Sequence, residues 1–138
     1  MLPDIHRTTS YIVFGATGGI GQSLCRRLAS RGARLVIGAR NGDNLKKLAE
    51  ELHAVAYPLD ATHFEEVEAC VEKAVQLNGR LNGVANCIGS LLLKPAHSTS
   101  EAEWLSTVAA NLTTAFAIVR ASAKAIVQRQ LLFPINDN

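Results

Sequence analysis

Four glycines crowd one turn, Gly15-Ala16-Thr17-Gly18-Gly19-Ile20-Gly21. The apolar run Tyr11-Ile12-Val13-Phe14 leads into it and an amphipathic pattern leaves it, so the turn joins a buried strand to a helix. A turn of this make-up lets main chain approach a ligand closely and aims the N–H groups and positive dipole end of the helix at it. That chemistry suits phosphate, above all the pyrophosphate of a dinucleotide. Two spacings overlap, Gly15-x-x-x-Gly19-x-Gly21 and Gly15-x-x-Gly18-x-x-Gly21, and the glycines alone do not choose between them.

Other polar residues stand just past later apolar runs. Roughly 20 residues beyond the glycines, where an Asp or Glu would hold a ribose 2′-hydroxyl, the chain has Ala39 followed by Arg40. Without a carboxylate, nothing there repels a 2′-phosphate, and a guanidinium binds one with charge-assisted, often bidentate hydrogen bonds. NADP is therefore expected over NAD. Asp60 and Ala61 follow Leu59, Asn86 precedes Cys87-Ile88-Gly89, and Asn111 lies in Ala110-Asn111-Leu112. Taken singly, Asp60 reads equally as a turn residue, Asn86 as a strand stop and Asn111 as a solvated helix position. Cys25, Cys70 and Cys87 show no paired spacing and sit in apolar patterns, which favours buried, reduced thiols. His6, His53, His63 and His97 form no ligand cluster, so no metal is expected.

Positioning these residues requires alternating elements. Ile20, Leu24 and Leu28 form a stripe on a first helix closed by Arg31-Gly32, and Ala33 to Gly38 reads as a second strand. A helix capped at Asn41 to Asp43 carries Leu45, Leu48 and Leu52. His53 to Tyr57 is a third strand stopped by Pro58. Thr62-His63-Phe64-Glu65 reads as a capping box opening a helix to Asn78-Gly79, and Leu81 to Asn86 is a fourth strand. A long helix starts after Ser98 or Ser100 and runs to about Gln128. Such alternation demands right-handed crossovers and a parallel sheet.

The chain has 138 residues, 48% hydrophobic composition and a net charge of +2. One domain is expected over 10–130, between an extension at 1–9 and an irregular tail at 131–138. Scattered basic residues disfavour nucleic acid. No apolar stretch nears the ~20 residues of a membrane span, and the start lacks a signal-peptide core, so a cytoplasmic address is expected.

In this framework the sequence resembles the short-chain dehydrogenase/reductase family, compact type, over about residues 10 to 128. Gly15 to Gly21, with Thr17, Gly18, Gly19 and Ile20, is similar to the family's T-G-x-x-x-G-I-G, and Leu59-Asp60-Ala61 to the segment whose Asp bonds adenine. Asn86-Cys87-Ile88-Gly89 resembles N-N-A-G, and Asn111 matches the family's active-site helix asparagine. Phe14 departs from the family's usual Thr, a change expected to loosen the turn while leaving its backbone donors.

The resemblance implies a Rossmann-like, doubly wound, three-layer α/β/α fold with strand order 3-2-1-4. It also implies hydride transfer between nicotinamide and a carbonyl or alcohol. The family's proton-exchanging tyrosine, its lysine four residues on and its serine have no counterpart: four residues after Tyr11 and Tyr57 stand Gly15 and Ala61. Ser122 and Lys124 read as solvated helix residues.

The expectation is a truncated sheet with a fourth-strand edge and an apolar long helix. Both favour a homo-oligomer, pairing through residues 101–128 and the strand-four edge, or an aggregation-prone monomer. An oxidoreductase inactive as this chain alone is the first functional reading. A non-catalytic nucleotide-binding module paired with a full-length relative is the second. A doubly wound domain for another adenosine-bearing ligand fits Asn86, Gly89 and Asn111 less well.

Overall fold

The computed structural model of the chain describes residues 9–132. Strands β1 (Ser10–Phe14), β2 (Arg34–Ala39), β3 (Val55–Pro58) and β4 (Gly83–Asn86) alternate with helices α1 (Gly19–Ser30), α2 (Gly42–Leu52) and α3 (Phe64–Asn78). A short 3-10 turn (Ala96–Ser98) leads into one long helical run. It comprises α4 (Glu101–Val108), a π turn (Ala109–Thr113) and α5 (Thr114–Leu132). The strands pair in parallel in the order β3-β2-β1-β4, the doubly wound arrangement that the alternation of elements implies.

Side-chain alternation along the central strands sets the layers. Ile12, Phe14 and Val36 point to α3 and α5 and join Val67, Cys70, Val71, Ala74, Ala117, Ile118 and Ala121 in one core. Val13, Leu35 and Ile37 point the other way, to Cys25, Leu45, Leu48 and Ala49 of α1 and α2. Strands covered on both faces are apolar at every position, which is why they read as continuous runs. At the sheet's lower end Ser10 is wholly buried. Its N–H donates to Asn82 Oδ1 at 2.9 Å, and its hydroxyl accepts from Asn78 Nδ2 at 2.9 Å. Burial pushes the Cys25 thiol up to about 11 and the Cys70 thiol up to about 12, so neither ionises near neutral pH.

Several local expectations are corrected. His53 belongs to no strand: it ends α2 in the left-handed region, φ 52°, with its N–H turned back to the helix carbonyls. Pro58 lies within β3, which tolerates the missing donor because it is an edge strand. Ile20 is 79% exposed, and α1 buries Gly21 and Cys25 instead. Thr62 does not cap α3. His63 is the N-cap, without a side-chain bond to the helix, and Thr62 turns to Asp60.

Ser100, not Ser98, opens α4, in a reciprocal capping box with Glu103. Ser122 is buried rather than solvated and returns its hydroxyl to Ile118 O, whereas Lys124 is exposed. The last helix extends to Leu132, beyond the expected end near Gln128, while Pro134 and the rest of 133–138, like residues 1–8, lie outside the described residues.

β4 is the sheet edge, with Leu81 buried beneath it and Val84 and Ile88 half-buried. Trp104, Leu105, Leu112, Phe116 and Val119 of the long helical run are exposed. Among the described residues no helix is long and apolar enough to cross a membrane, and no group of His, Cys, Asp or Glu could hold a metal ion.

Phe14 stands where β1 runs into the turn. Its ring is wholly buried in the α3/α5 core, and Gly15 N–H and Ala16 N–H both donate to Gly38 O, at 2.9 and 3.1 Å. Phe14→Ala is expected to lower the unfolding free energy by ~3–5 kcal/mol in urea denaturation. A loss under ~1 kcal/mol would mean that this end of β1 is not packed as described.

Candidate functional site

The glycine turn lies where the C-terminal ends of β1, β2 and β4 converge. Gly15 has φ +74°, and a Cβ there would come within 2.7 Å of the Cys87 carbonyl carbon and oxygen. Gly21 is equally constrained, because its Cβ would fall 2.1 Å from Gly15 O. These two glycines are required by the chain's own packing.

Gly18 and Gly19 are not. A Cβ at Gly18 meets only Gly15 O at 3.6 Å, and one at Gly19 meets nothing within 4 Å. They stand at the start of α1, whose N-cap Gly18 offers no side chain to the first helical N–H groups. In α2 and α4, by contrast, Asn41 and Ser100 cap through their side chains. A helix start stripped of both Cβ atoms and cap is shaped for an anion supplied from outside.

Beside the turn lies a cleft of about 650 Å³. Of the residues singled out by sequence, Gly15, Thr17, Gly18, Arg40, Asp60, Ala61 and Gly89 line it. Gly19, Ile20, Gly21, Asn86 and Asn111 do not: Gly21 packs beneath the turn, and Asn86 Oδ1 accepts from Ile88 N–H at 3.0 Å within its own loop. Ala39, Leu59, Cys87 and Ile88, which stand within the motifs read from sequence, also line it, whereas Gly38 and Asn41 at the end of β2, Thr62 after β3 and Ser90 after β4 were not singled out for it. All lie at or just beyond strand ends, the position where open α/β sheets bind ligands, so that rule would have found them. Ala110 and Thr114, which complete the lining from the long helical run, carried no such signal.

Polar groups shape the walls. Thr62 donates to Asp60 Oδ1 from its hydroxyl at 2.7 Å and its N–H at 2.9 Å. These bonds hold the Asp60 carboxyl below its ordinary range, with His63 and Arg40 adding weaker attraction. Asp60 is therefore both a turn residue and a cleft residue. Glu66 accepts the Asp60 N–H at 2.8 Å and meets His63 Nδ1 at 2.8 Å.

Behind the loop after β4, Asn111 sits in the π turn. Its Oδ1 accepts from Ser90 N–H at 3.0 Å, while Nδ2 reaches Ser90 O and Oγ at 3.1 Å and Thr107 O at 2.9 Å. The side chain thus clamps the loop after β4 to the helix. Thr114, buried beside it, donates to Ala110 O at 2.7 Å.

A family model for short chain dehydrogenases matches residues 10–131. The 2,3-dihydro-2,3-dihydroxybenzoate dehydrogenase of Bacillus subtilis is 32% identical over 126 residues, covering 86% of this chain and 47% of that protein. The short-chain dehydrogenase/reductase aba4 of Botryotinia fuckeliana is 34% identical, over 80% of this chain and 46% of its own.

Among solved structures, a metagenomic short-chain oxidoreductase in complex with NADP superposes with a TM-score of 0.81 at 29% identity. The match covers 89% of this chain and 58% of that one. The F189W actinorhodin polyketide ketoreductase with NADPH gives 0.84 at 28%, over 90% and 50% of the two chains. The chain spans about half the length of these relatives.

The two kinds of glycine separate in a mutational test. Gly21→Ala is expected to lower the melting temperature sharply, because its Cβ overlaps Gly15 O. Gly19→Ala, in open space at the first turn of α1, should change stability by less than ~0.5 kcal/mol. Equal destabilisation by both, read by thermal melts, would contradict the packing of the turn.

Proposed function

Because this chain belongs to the short-chain dehydrogenase family, we propose that it is the dinucleotide-binding portion of an NADP-dependent oxidoreductase. The pyrophosphate lies on the uncapped start of α1 at Gly18, Gly19 and Ile20, with Thr17 at the rim. The adenosine end lies between Arg40 and the Asp60–Ala61 wall, and the nicotinamide end reaches towards Gly89 and Asn111. Bound there, nicotinamide supplies hydride exchange with a carbonyl or alcohol.

The observation that carries the choice of NADP is Arg40, exposed at the cleft directly after β2, with no carboxylate at Ala39. Its guanidinium is free to fork onto a 2′-phosphate. NADP and NADPH accompany two of the matched structures, which supports a nicotinamide dinucleotide in general.

The proton-exchanging pair is a separate matter. Neither tyrosine of these 138 residues has a lysine four positions on. The 138 residues therefore bind and orient, and turnover belongs to whatever supplies that pair. A second reading, a nucleotide-binding module without chemistry of its own, draws on the same observation. The exposed face of Trp104, Leu105, Leu112, Phe116 and Val119 supports self-association through α4 and α5, or pairing with a longer relative.

Titration of the purified chain with both dinucleotides tests the cofactor assignment. NADP should bind more tightly than NAD, and Arg40→Ala should weaken NADP ~10- to 100-fold, the equivalent of ~1.5–3 kcal/mol of charge-assisted bonding, with NAD unchanged. Tighter NAD binding would reverse the assignment. Light scattering should detect dimers or larger species that bind a hydrophobic dye weakly. A monodisperse monomer that binds no dye counts against the association.

A further inference from the structure

The Asp60–Thr62 wall of the cleft is fixed by two residues that lie outside its lining. Helix α3 starts at Phe64 behind His63, whose ring makes no capping bond. Glu66 occupies the third helical position, from which a carboxylate ordinarily returns to the N–H of the N-cap. Here it passes the N-cap by: Oε2 accepts Asp60 N–H at 2.8 Å, and Oε1 meets His63 Nδ1 at 2.8 Å. His63 N–H donates to Asp60 O at 3.1 Å, and Asp60 Oδ1 holds Thr62. A capping device has been diverted from the helix it would stabilise to the loop that forms the cleft.

We propose that Glu66 is a positioning residue for dinucleotide binding. It holds the Asp60–Thr62 wall through the Asp60 N–H, with a grip that depends on the charge of His63. The proposal rests on the dinucleotide reading of the cleft.

A carboxylate accepting an N–H makes a charge-assisted bond, stronger than a neutral pair. Its second oxygen is steadied by His63 only when Nδ1 carries the proton. A neutral ring with its proton on Nε2 would turn a lone pair on the carboxylate, whereas the imidazolium always presents a donor. The groups facing His63 are acidic: Glu66, Asp60 and Glu65 raise its pKa, the bond to Glu66 most. Glu66 is held below its ordinary range by His63 first and the Asp60 N–H second. Arg40 faces Asp60 across the cleft end.

The sign follows. The wall is firmest while Glu66 is ionised and His63 protonated, and it slackens as pH rises through the raised pKa of His63. Both partners are exposed, so the ionic part is small beside the N–H bond itself.

Two sets of measurements on the chain test this, one without ligand and one with NADP as the probe. Without ligand, Glu66→Ala should speed hydrogen exchange at the Asp60 amide, and Glu66→Gln should lower the His63 ring pKa by NMR. With ligand, Glu66→Ala should weaken NADP about tenfold, and Glu66→Gln, which keeps an acceptor for Asp60, about threefold. From about pH 6 to about pH 8.5 the wild type should lose two- to threefold in affinity relative to His63→Asn, a comparison that cancels titration of the ligand's own phosphates.

Melting curves check that the surface variants fold. Undiminished NADP binding by Glu66→Ala, or superimposable pH profiles for wild type and His63→Asn, overturns the proposal alone. Failure of the wild type to bind NADP or NAD at any pH overturns the dinucleotide reading, and the proposal with it.

Discussion

The C-terminal edge of the sheet depends on main chain lying against main chain at Gly15 and Cys87, too close for any side chain between them. That contact ties the end of β1 to the end of β4, where Cys87 N–H donates to Phe14 O at 2.8 Å. The same turn leans on β2, because Gly38 O accepts from both Gly15 and Ala16. Gly21, against Gly15 O, then fixes where α1 begins. Three strands and a helix share one small junction, and the cleft is the space it leaves. Backbone contacts of this kind carry little rotamer freedom, so the floor of the site is set before any side chain is placed.

The walls are built differently. Each is a loop stapled by a polar side chain from an element further along: Glu66 of α3 onto Asp60, and Asn111 of the π turn onto Ser90. A main-chain floor with side-chain walls divides the work. In the proposed binding mode the floor would meet the phosphates, common to every dinucleotide, and the walls the ends, where ligands differ.

The parallel order and the two cores were legible because strands covered on both faces leave unbroken apolar runs, and Ile12 to Phe14 and Leu35 to Ile37 are such runs. Gly15 and Gly21 were legible because only one residue type satisfies so close an approach. The errors share a cause: short polar or ambiguous segments whose partner is chosen by tertiary contact. Thr62 could cap a helix or serve Asp60, and Glu66, placed to secure Asp60, decides it. Ile20 fits a helical stripe, but Gly21 must face the turn, which rotates Ile20 outward. Ser122 is buried because its hydroxyl is satisfied by its own helix. The contact of Ser90 with Asn111 spans 21 positions of sequence and has no local pattern at all.

The π turn at Ala109–Thr113 is in effect one inserted residue, with Thr114 N–H bonding Ala109 O five positions back. One residue is about 100° of helical phase, so α4 and α5 are the same rod read on two different wheels. Upstream phase presents Trp104 and Leu105. Downstream phase buries Ala117, Ile118 and Ala121 against α3 and leaves Phe116 and Val119 exposed. A lineage that lost one residue in this turn would gain a regular helix and misalign everything after it, withdrawing Asn111 from Ser90 in the same stroke. The irregularity is thus a register mark, shared by the wall of the cleft and the packing of the last helix, and neither can drift without the other.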